Sequence, residues 1–236
     1  MLDSLKKRNL SLRKGDIIAI ASKVVSTCES RALRLDEVRV TEAARRISRK
    51  WNFDQRLATI VLEEADEILG GVRGFLLTVK SGILTANAGI DLKNCPPGTA
   101  ILWPKDADAS AALLRDSLEK KCGVRLGVIV VDSRVTPMRL GTVGLAIGVS
   151  GLAPVSDFRG ARDIYGRKTR VTQTNVADDL ASSAHLLMGE TNEHIGVVVE
   201  RKAPVPLRDV DGSRRARLNI TRCLIARNIA SARKLS

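Results

Sequence analysis

Three places in the chain end a regular-looking run on a group that could hold a cation or steer a phosphate. Asp91 sits in "TANAGIDLKN" (85–94), where a strand-like segment gives way to a carboxylate, the Asn94 amide, Cys95 and two prolines. Asp132 and Ser133 end the apolar run "VRLGVIVVDS", and Glu190 follows "NVADDLASSAHLLMG" just past a helix-like segment. Polar groups on loops fixed by rigid elements are where sites concentrate. Hard oxygen donors of this kind suit Mg2+ or Mn2+, ions that also take oxygens from nucleotide phosphates. Taken singly, each carboxylate reads more simply as a cap or a surface charge, and three at element ends shift that balance modestly.

Other chemistries find less support. "GARDIYGRKT" (160–169) has five residues between its glycines, and Arg167 follows the second, so it is not the phosphate-cradling G-x-x-x-x-G-K-[ST] loop. No G-x-G-x-x-G follows a strand-like run. His185 lies inside a helical pattern and reads as packing or surface, whereas His194 is nearer the acidic residues. Cys28, Cys95, Cys122 and Cys223 are far apart, without C-x-x-C or a neighbouring base in sequence. Covalent catalysis and structural zinc are therefore disfavoured, and free thiols in a reducing, cytoplasmic setting are expected.

The elements that must position these groups alternate irregularly. "GDIIAIASKVVS" (15–26) reads as a buried strand running into a polar turn. "VTEAARRISRKWN" and "DQRLATIVLEEADEIL" have helical spacing, with Thr41 and Asp54 as N-caps. Two strands around 74–90 join near "KSG". "DADASAALLRDSLEKKCG" is a helix capped near Asp106 and ended by Gly123. "GTVGLAIGVSGLAPV" is Gly-rich and strand-like. In "NVADDLASSAHLLMGE", Val176, Leu180, Ala184 and Leu187 define one helix face, and Gly189 fits the residue past its end. "IGVVVE" (195–200) is a strand, and a last helix is expected near 214–233. Hairpins rather than strict alternation indicate an α+β fold, with mixed, largely antiparallel sheets and flanking helices.

The 236 residues are 44% hydrophobic but only 3% aromatic, so the core must be built from Val, Ile, Leu and Ala. No apolar run approaches the roughly 18 residues of a membrane span, and "MLDSLKKRNLSLRKGD" lacks the apolar stretch of a signal peptide. The net charge is +13, and ten Lys or Arg stand against Asp209 and Asp211 beyond residue 200. That excess is either a solvated basic face or an attraction for nucleotides, polyanionic coenzymes or nucleic acid. With so few aromatics to stack on bases, nucleic acid is the weakest of these partners.

Six segments, in order and at their spacing, carry a family resemblance. They are "ASKVVS", "TANAGIDLKN", "DADASAALLRDSL", "GVIVVDS" with Pro137 and Arg139, "GLAIGVSGLAPVSDFRGARDIYGR" and "VADDLASSAHLLMGE". Over about residues 15–205 the chain resembles the coenzyme F420-0:L-glutamate ligases (CofE, gamma-glutamyl ligase), most specifically over 132–190. The resemblance implies a CofE-like fold, an intertwined homodimer, and a ligase domain over 1–205 with a basic segment, 206–236, belonging to it. It implies a ligase that uses GTP to phosphorylate a carboxylate of F420-0, then lets the L-glutamate amine attack the acyl phosphate, with a second, gamma-linked glutamate able to follow. Two Mg2+ or Mn2+ ions, and K+ as a further ion, are implied as cofactors. By position, Asp91, Asp132, Ser133 and Glu190 look like metal ligands. Ser22, Lys23, Asn94, Met188, Gly189, Thr191 and Asn192 look like nucleotide contacts. Asp132 and Arg139 look catalytic.

The chain departs from the family pattern at Thr27, where a basic residue is usual, and in "DSRVTPMR", where the family reads D-[ST]-F-G-R-P-W-R. It also starts about one strand late. These departures keep two alternatives open: a paralogous ligase with a different carboxylate acceptor, and a non-catalytic basic binding protein.

Overall fold

The computed structural model describes residues 10–232. Residues 1–9, which open "MLDSLKKRNLSLRKGD", and 233–236, which hold the last two basic residues of the tail, lie outside the described residues.

β1 (Ile17–Ala21) runs directly into α1 (Ser22–Cys28), a short helix where the sequence reads as a polar turn. β2 (Ala32–Arg34) precedes α2 (Glu42–Trp51) and α3 (Gln55–Glu64). Both helices are capped as expected: Thr41 accepts from the Ala44 N–H, and Asp54 from those of Arg56 and Leu57. α3 stops at Glu64 rather than continuing through Leu69, and β3 (Glu67–Val72) takes the remainder. Gly70 and Gly71 each cost a helix about 1 kcal/mol, and they pair instead with β4 (Phe75–Lys80). β5 (Ile83–Ala86) completes a three-stranded antiparallel sheet, and β6 (Thr99–Ile101) pairs with β2.

α4 (Ala107–Cys122) begins at its Asp106 cap and ends at Gly123 in the left-handed region. β7 (Gly127–Val135) and β8 (Thr142–Leu152) follow, then a small hairpin of β9 (Ser156–Asp157) and β10 (Gln173–Thr174). The "GARDIYGRKT" segment is the connection inside that hairpin. α5 (Val176–Met188), β11 (Val197–Glu200) and β12 (Leu207–Asp211) come next. The single helix expected near 214–233 is broken into 3-10 turns at Ser213–Ala216 and Ile220–Arg222 before α6 (Leu224–Ala232). Ser213 is the reason: its hydroxyl donates to the Ile147 carbonyl and its N–H to Asp108, which ties the chain to β8.

The chain forms two compact units. The first holds the residues up to Val25, Pro104–Ser133 and Gly141–Ala216; the second holds Ser26–Trp103, Arg134–Leu140 and the residues from Arg217. The first unit's sheet has the order β11-β1-β7-β8-β12. β1 runs parallel to β7, while β11 is antiparallel to β1 and β12 to β8. With three further antiparallel sheets, this is the mixed, largely antiparallel α+β class expected.

α5 lies on the sheet through Ala177, Leu180, Ala181, Ala184 and Met188, against Ile17, Ala19, Ile129 and Val131. Each large aliphatic side chain buried here contributes about 1.5–3 kcal/mol. The buried stripe differs from the one expected, because Leu187 is 57% exposed and Met188 is inside. Contact with β8 sets this rotation. A Cβ on Gly144 would stand 2.2 Å from the Ala181 carbonyl oxygen, so only glycine lets the helix approach there. The second unit packs Ala44, Phe53, Ala58, Val61 and Leu76 into its own core, and Arg31 and Lys80 both bind the Glu64 carboxylate. Among the described residues, no helix is long and apolar enough to cross a membrane.

Candidate functional site

One edge of the first unit's sheet gathers most of the residues singled out in the sequence. Ala21 of β1 pairs with Val131 of parallel β7, so Ser22 leaves β1 at the level of Asp132, which lies inside β7 rather than ending it, because the strand runs on to Val135. Adjacent strands lie about 4.8 Å apart. β11 begins at that level too, because Ile20 pairs with Val197 and the Ala21 N–H donates to the Gly196 carbonyl at 2.9 Å. The connection from α5 to β11, which carries Gly189–Asn192, therefore ends beside the end of β1.

Ser22 is 8% exposed at the start of α1, with Lys23 beside it. Asp132 accepts the Ser133 N–H through Oδ1 at 2.8 Å. Glu190 is fixed from two sides: Oε1 accepts the Thr142 hydroxyl at 2.6 Å and faces His185 Nε2 at 2.8 Å. Thr142 is the first residue of β8, the strand next to β7. Gly189 makes the sharp exit from α5, with φ of 71° and its N–H on the His185 carbonyl. A Cβ there would meet the Glu193 side chain at 2.1 Å. Glu193 in turn accepts the Thr191 N–H at 2.8 Å, and that backbone hydrogen bond holds its carboxyl below the usual range. Met188 is buried, while Thr191 and Asn192 are exposed.

Asp91, Asn94 and Arg139 belong to the second unit. Asp91 is locked by reciprocal backbone hydrogen bonds with Ile101, both 2.9 Å, and its Oδ1 accepts the Lys93 N–H at 2.7 Å. The turn before it is equally constrained. Asn87 Oδ1 accepts the Leu76 N–H, and the Ala88 N–H donates to the buried Thr78 hydroxyl, each at 2.8 Å. Asn94 is exposed with φ of 51°. Arg139 sits on the exposed connection between β7 and β8.

The sequence singles out Asp132 and Glu190 but does not show what holds Glu190. His185 reads as packing or surface, yet it faces that carboxylate, and Thr142 carried no signal at all. The donors on this edge are hard: two carboxylates and hydroxyls. Among the described residues, no three His, Cys, Asp or Glu side chains form a ready-made metal cluster. Such a set fits Mg2+ or Mn2+ held by one or two carboxylates, with waters and substrate phosphates completing the shell. The four cysteines are free thiols.

A family model described as F420-0:Gamma-glutamyl ligase matches residues 1–202. The chain belongs to the F420-0:gamma-glutamyl ligase family. It is 39% identical over 217 residues to the coenzyme F420:L-glutamate ligase of Methanopyrus kandleri, covering 92% of this chain and 86% of that protein. The enzyme of the same name from Methanocaldococcus jannaschii is 40% identical over 83% of this chain and 78% of its own. That of Archaeoglobus fulgidus is 38% identical over 85% and 80%.

Proposed function

We propose that this family member joins L-glutamate to coenzyme F420-0 in a reaction dependent on GTP and a divalent metal. The observation that carries the reading is Glu190, held by both Thr142 and His185, in a chain whose relatives are coenzyme F420:L-glutamate ligases. A carboxylate is a poor acyl donor because its leaving group would be oxide. Attack of a carboxylate oxygen of F420-0 on the γ-phosphorus of GTP breaks the bond to the β-phosphate oxygen and releases GDP. The amine of L-glutamate then attacks the acyl carbon, inorganic phosphate leaves, and the nitrogen loses a proton to give the amide. A second, gamma-linked glutamate can be added in the same way.

Phosphoryl transfer of this kind is mainly a matter of positioning and charge neutralisation. In the first unit we assign Asp132, Ser133 and Glu190 to holding Mg2+ or Mn2+, which when bound would neutralise the phosphates; in the second unit, Asp91 is assigned as a metal ligand by its place in the family motif. In the first unit, Ser22, Lys23 and the 188–192 segment are assigned to the nucleotide; in the second, family position assigns Asn94 to the nucleotide and Arg139 to the transferring group. The reading includes a homodimer and a +13 chain that attracts its anionic substrates. A different carboxylate acceptor is the second reading, favoured by the connection after β7, where Met138 and Leu140 are fully exposed.

Asp132→Ala tests the assignment. Turnover should fall at least about 100-fold, with a melting temperature close to that of the unsubstituted protein, since Asp132 is only half-buried. Full activity in this variant would remove Asp132, and the edge it marks, from the mechanism.

A further inference from the structure

The opposite ends of the same strands frame a different feature. Asp16 precedes β1, Arg125 lies just before β7 and Arg201 follows β11, and between them opens a cavity of about 640 Å3. β1 separates it from Ser22 by five residues, roughly 17 Å of extended chain. The cavity is lined by five cations, Arg13, Lys14, Arg125, Arg201 and Lys202, against one carboxylate, Asp16. That carboxylate is already engaged. It is 1% exposed, accepts the Arg13 N–H at 2.8 Å, and receives the Arg201 guanidinium at 2.9 and 2.8 Å.

Arg201 also donates to the Ser11 carbonyl, and Arg125 is paired with Asp209. Lys14 and Lys202 differ: both are exposed, and neither has a carboxylate within ion-pair distance among the described residues. Lys202 is held at φ of 61°, a left-handed conformation that a turn selected for geometry alone would give to Gly or Asn. The cavity also has an apolar wall, formed by Ala203, Val205 and Leu207. A positive rim would by itself suit any anion. The volume and the apolar wall narrow the choice to small molecules, whose pockets fall in this size range.

We infer that this cavity is a second ligand site, for a small organic anion that carries a phosphate or carboxylate group on an apolar body. The Asp16–Arg201 pair, of which the carboxylate is buried, fixes its floor, Lys14 and Lys202 neutralise the ligand's charge, and the apolar wall takes its body. Nucleic acid fits less well, because the lining is concave and carries no aromatic ring for a base to stack on.

The test is calorimetry of the full chain in EDTA with 2-naphthyl phosphate, inorganic phosphate and 2-naphthol as probes. Chelation removes the metal-dependent contribution of the proposed nucleotide site, so this result stands or falls apart from the ligase reading. One naphthyl phosphate should bind per chain, at least about tenfold more tightly than either simpler probe. The double substitution K14A/K202A should weaken it about tenfold or more. These lysines are exposed, so the fold should persist, which a melting curve checks. Asp132→Ala should bind as the unsubstituted chain does. Binding unchanged in K14A/K202A, equal affinity for all three probes, or no saturable binding would overturn the proposal. So would a salt-sensitive affinity for duplex DNA in place of the small anion.

Discussion

Glu190 is useful because two neighbours hold it. Its Oε1 faces His185 five residues earlier and accepts from Thr142 forty-eight residues earlier. A carboxylate gripped this way loses rotamer freedom before any cation arrives. Removing such a partner from a metal ligand typically costs 10–100-fold in affinity. For His185→Ala we expect the Mn2+ concentration that half-saturates turnover to rise about tenfold, with a smaller effect at saturating metal. An unchanged metal dependence would show that His185 only packs. The pair also marks where the sequence stops speaking. Asp132 stands out because an apolar run ends on it, although the strand itself continues to Val135, and Glu190 because a glycine closes the helix before it. The Thr142 and His185 contacts depend on which strand lies beside which helix, and no local pattern encodes that.

Among the elements, the local helix caps were legible, whereas the short helix α1 reads in the sequence as a polar turn. Thr41, Asp54 and Asp106 cap the helices they appear to cap, since a cap is a contact between residues two or three positions apart. β3 was not legible as a strand, because its pairing partner lies across a turn. The buried face of α5 came out one position away, because Gly144 on another element sets the helix's rotation. Glu200 shows a cost of the same packing. It ends β11, its carboxyl oxygens are buried without a well-formed hydrogen bond, and desolvation raises its pKa while the Ser183 hydroxyl offsets part of the effect. A raised carboxyl pKa means that the folded state favours the protonated form. Below the unfolded-state pKa both states are protonated and nothing is lost. As pH rises through the folded-state value, the fold must hold a buried charge and is weakened. Glu200→Gln should therefore melt about 2 °C higher than the unsubstituted chain at pH 8, with the gap closing toward pH 4. An equal gap at both pH values would contradict this.

At the scale of the whole molecule, charge and exposed apolar surface bear on the proposed partners. The +13 charge suits GTP and a phosphate-bearing coenzyme. Met138, Leu140, Ile164 and Val171 are each more than four-fifths exposed, which fits surface that a second copy covers. Light scattering should give a mass about twice 25.5 kDa at micromolar concentration, and a monomer there would remove the homodimer. The α+β class was legible from hairpins and helical spacing. The division into two units was not, because each is assembled from segments distant in sequence. The most direct measurement is mass spectrometry of F420-0 incubated with the chain, L-glutamate, GTP and Mn2+. We expect a gain of one or more glutamyl units that requires all four components together with the chain. An unchanged coenzyme in the complete mixture would contradict the assignment of F420-0 as the acceptor.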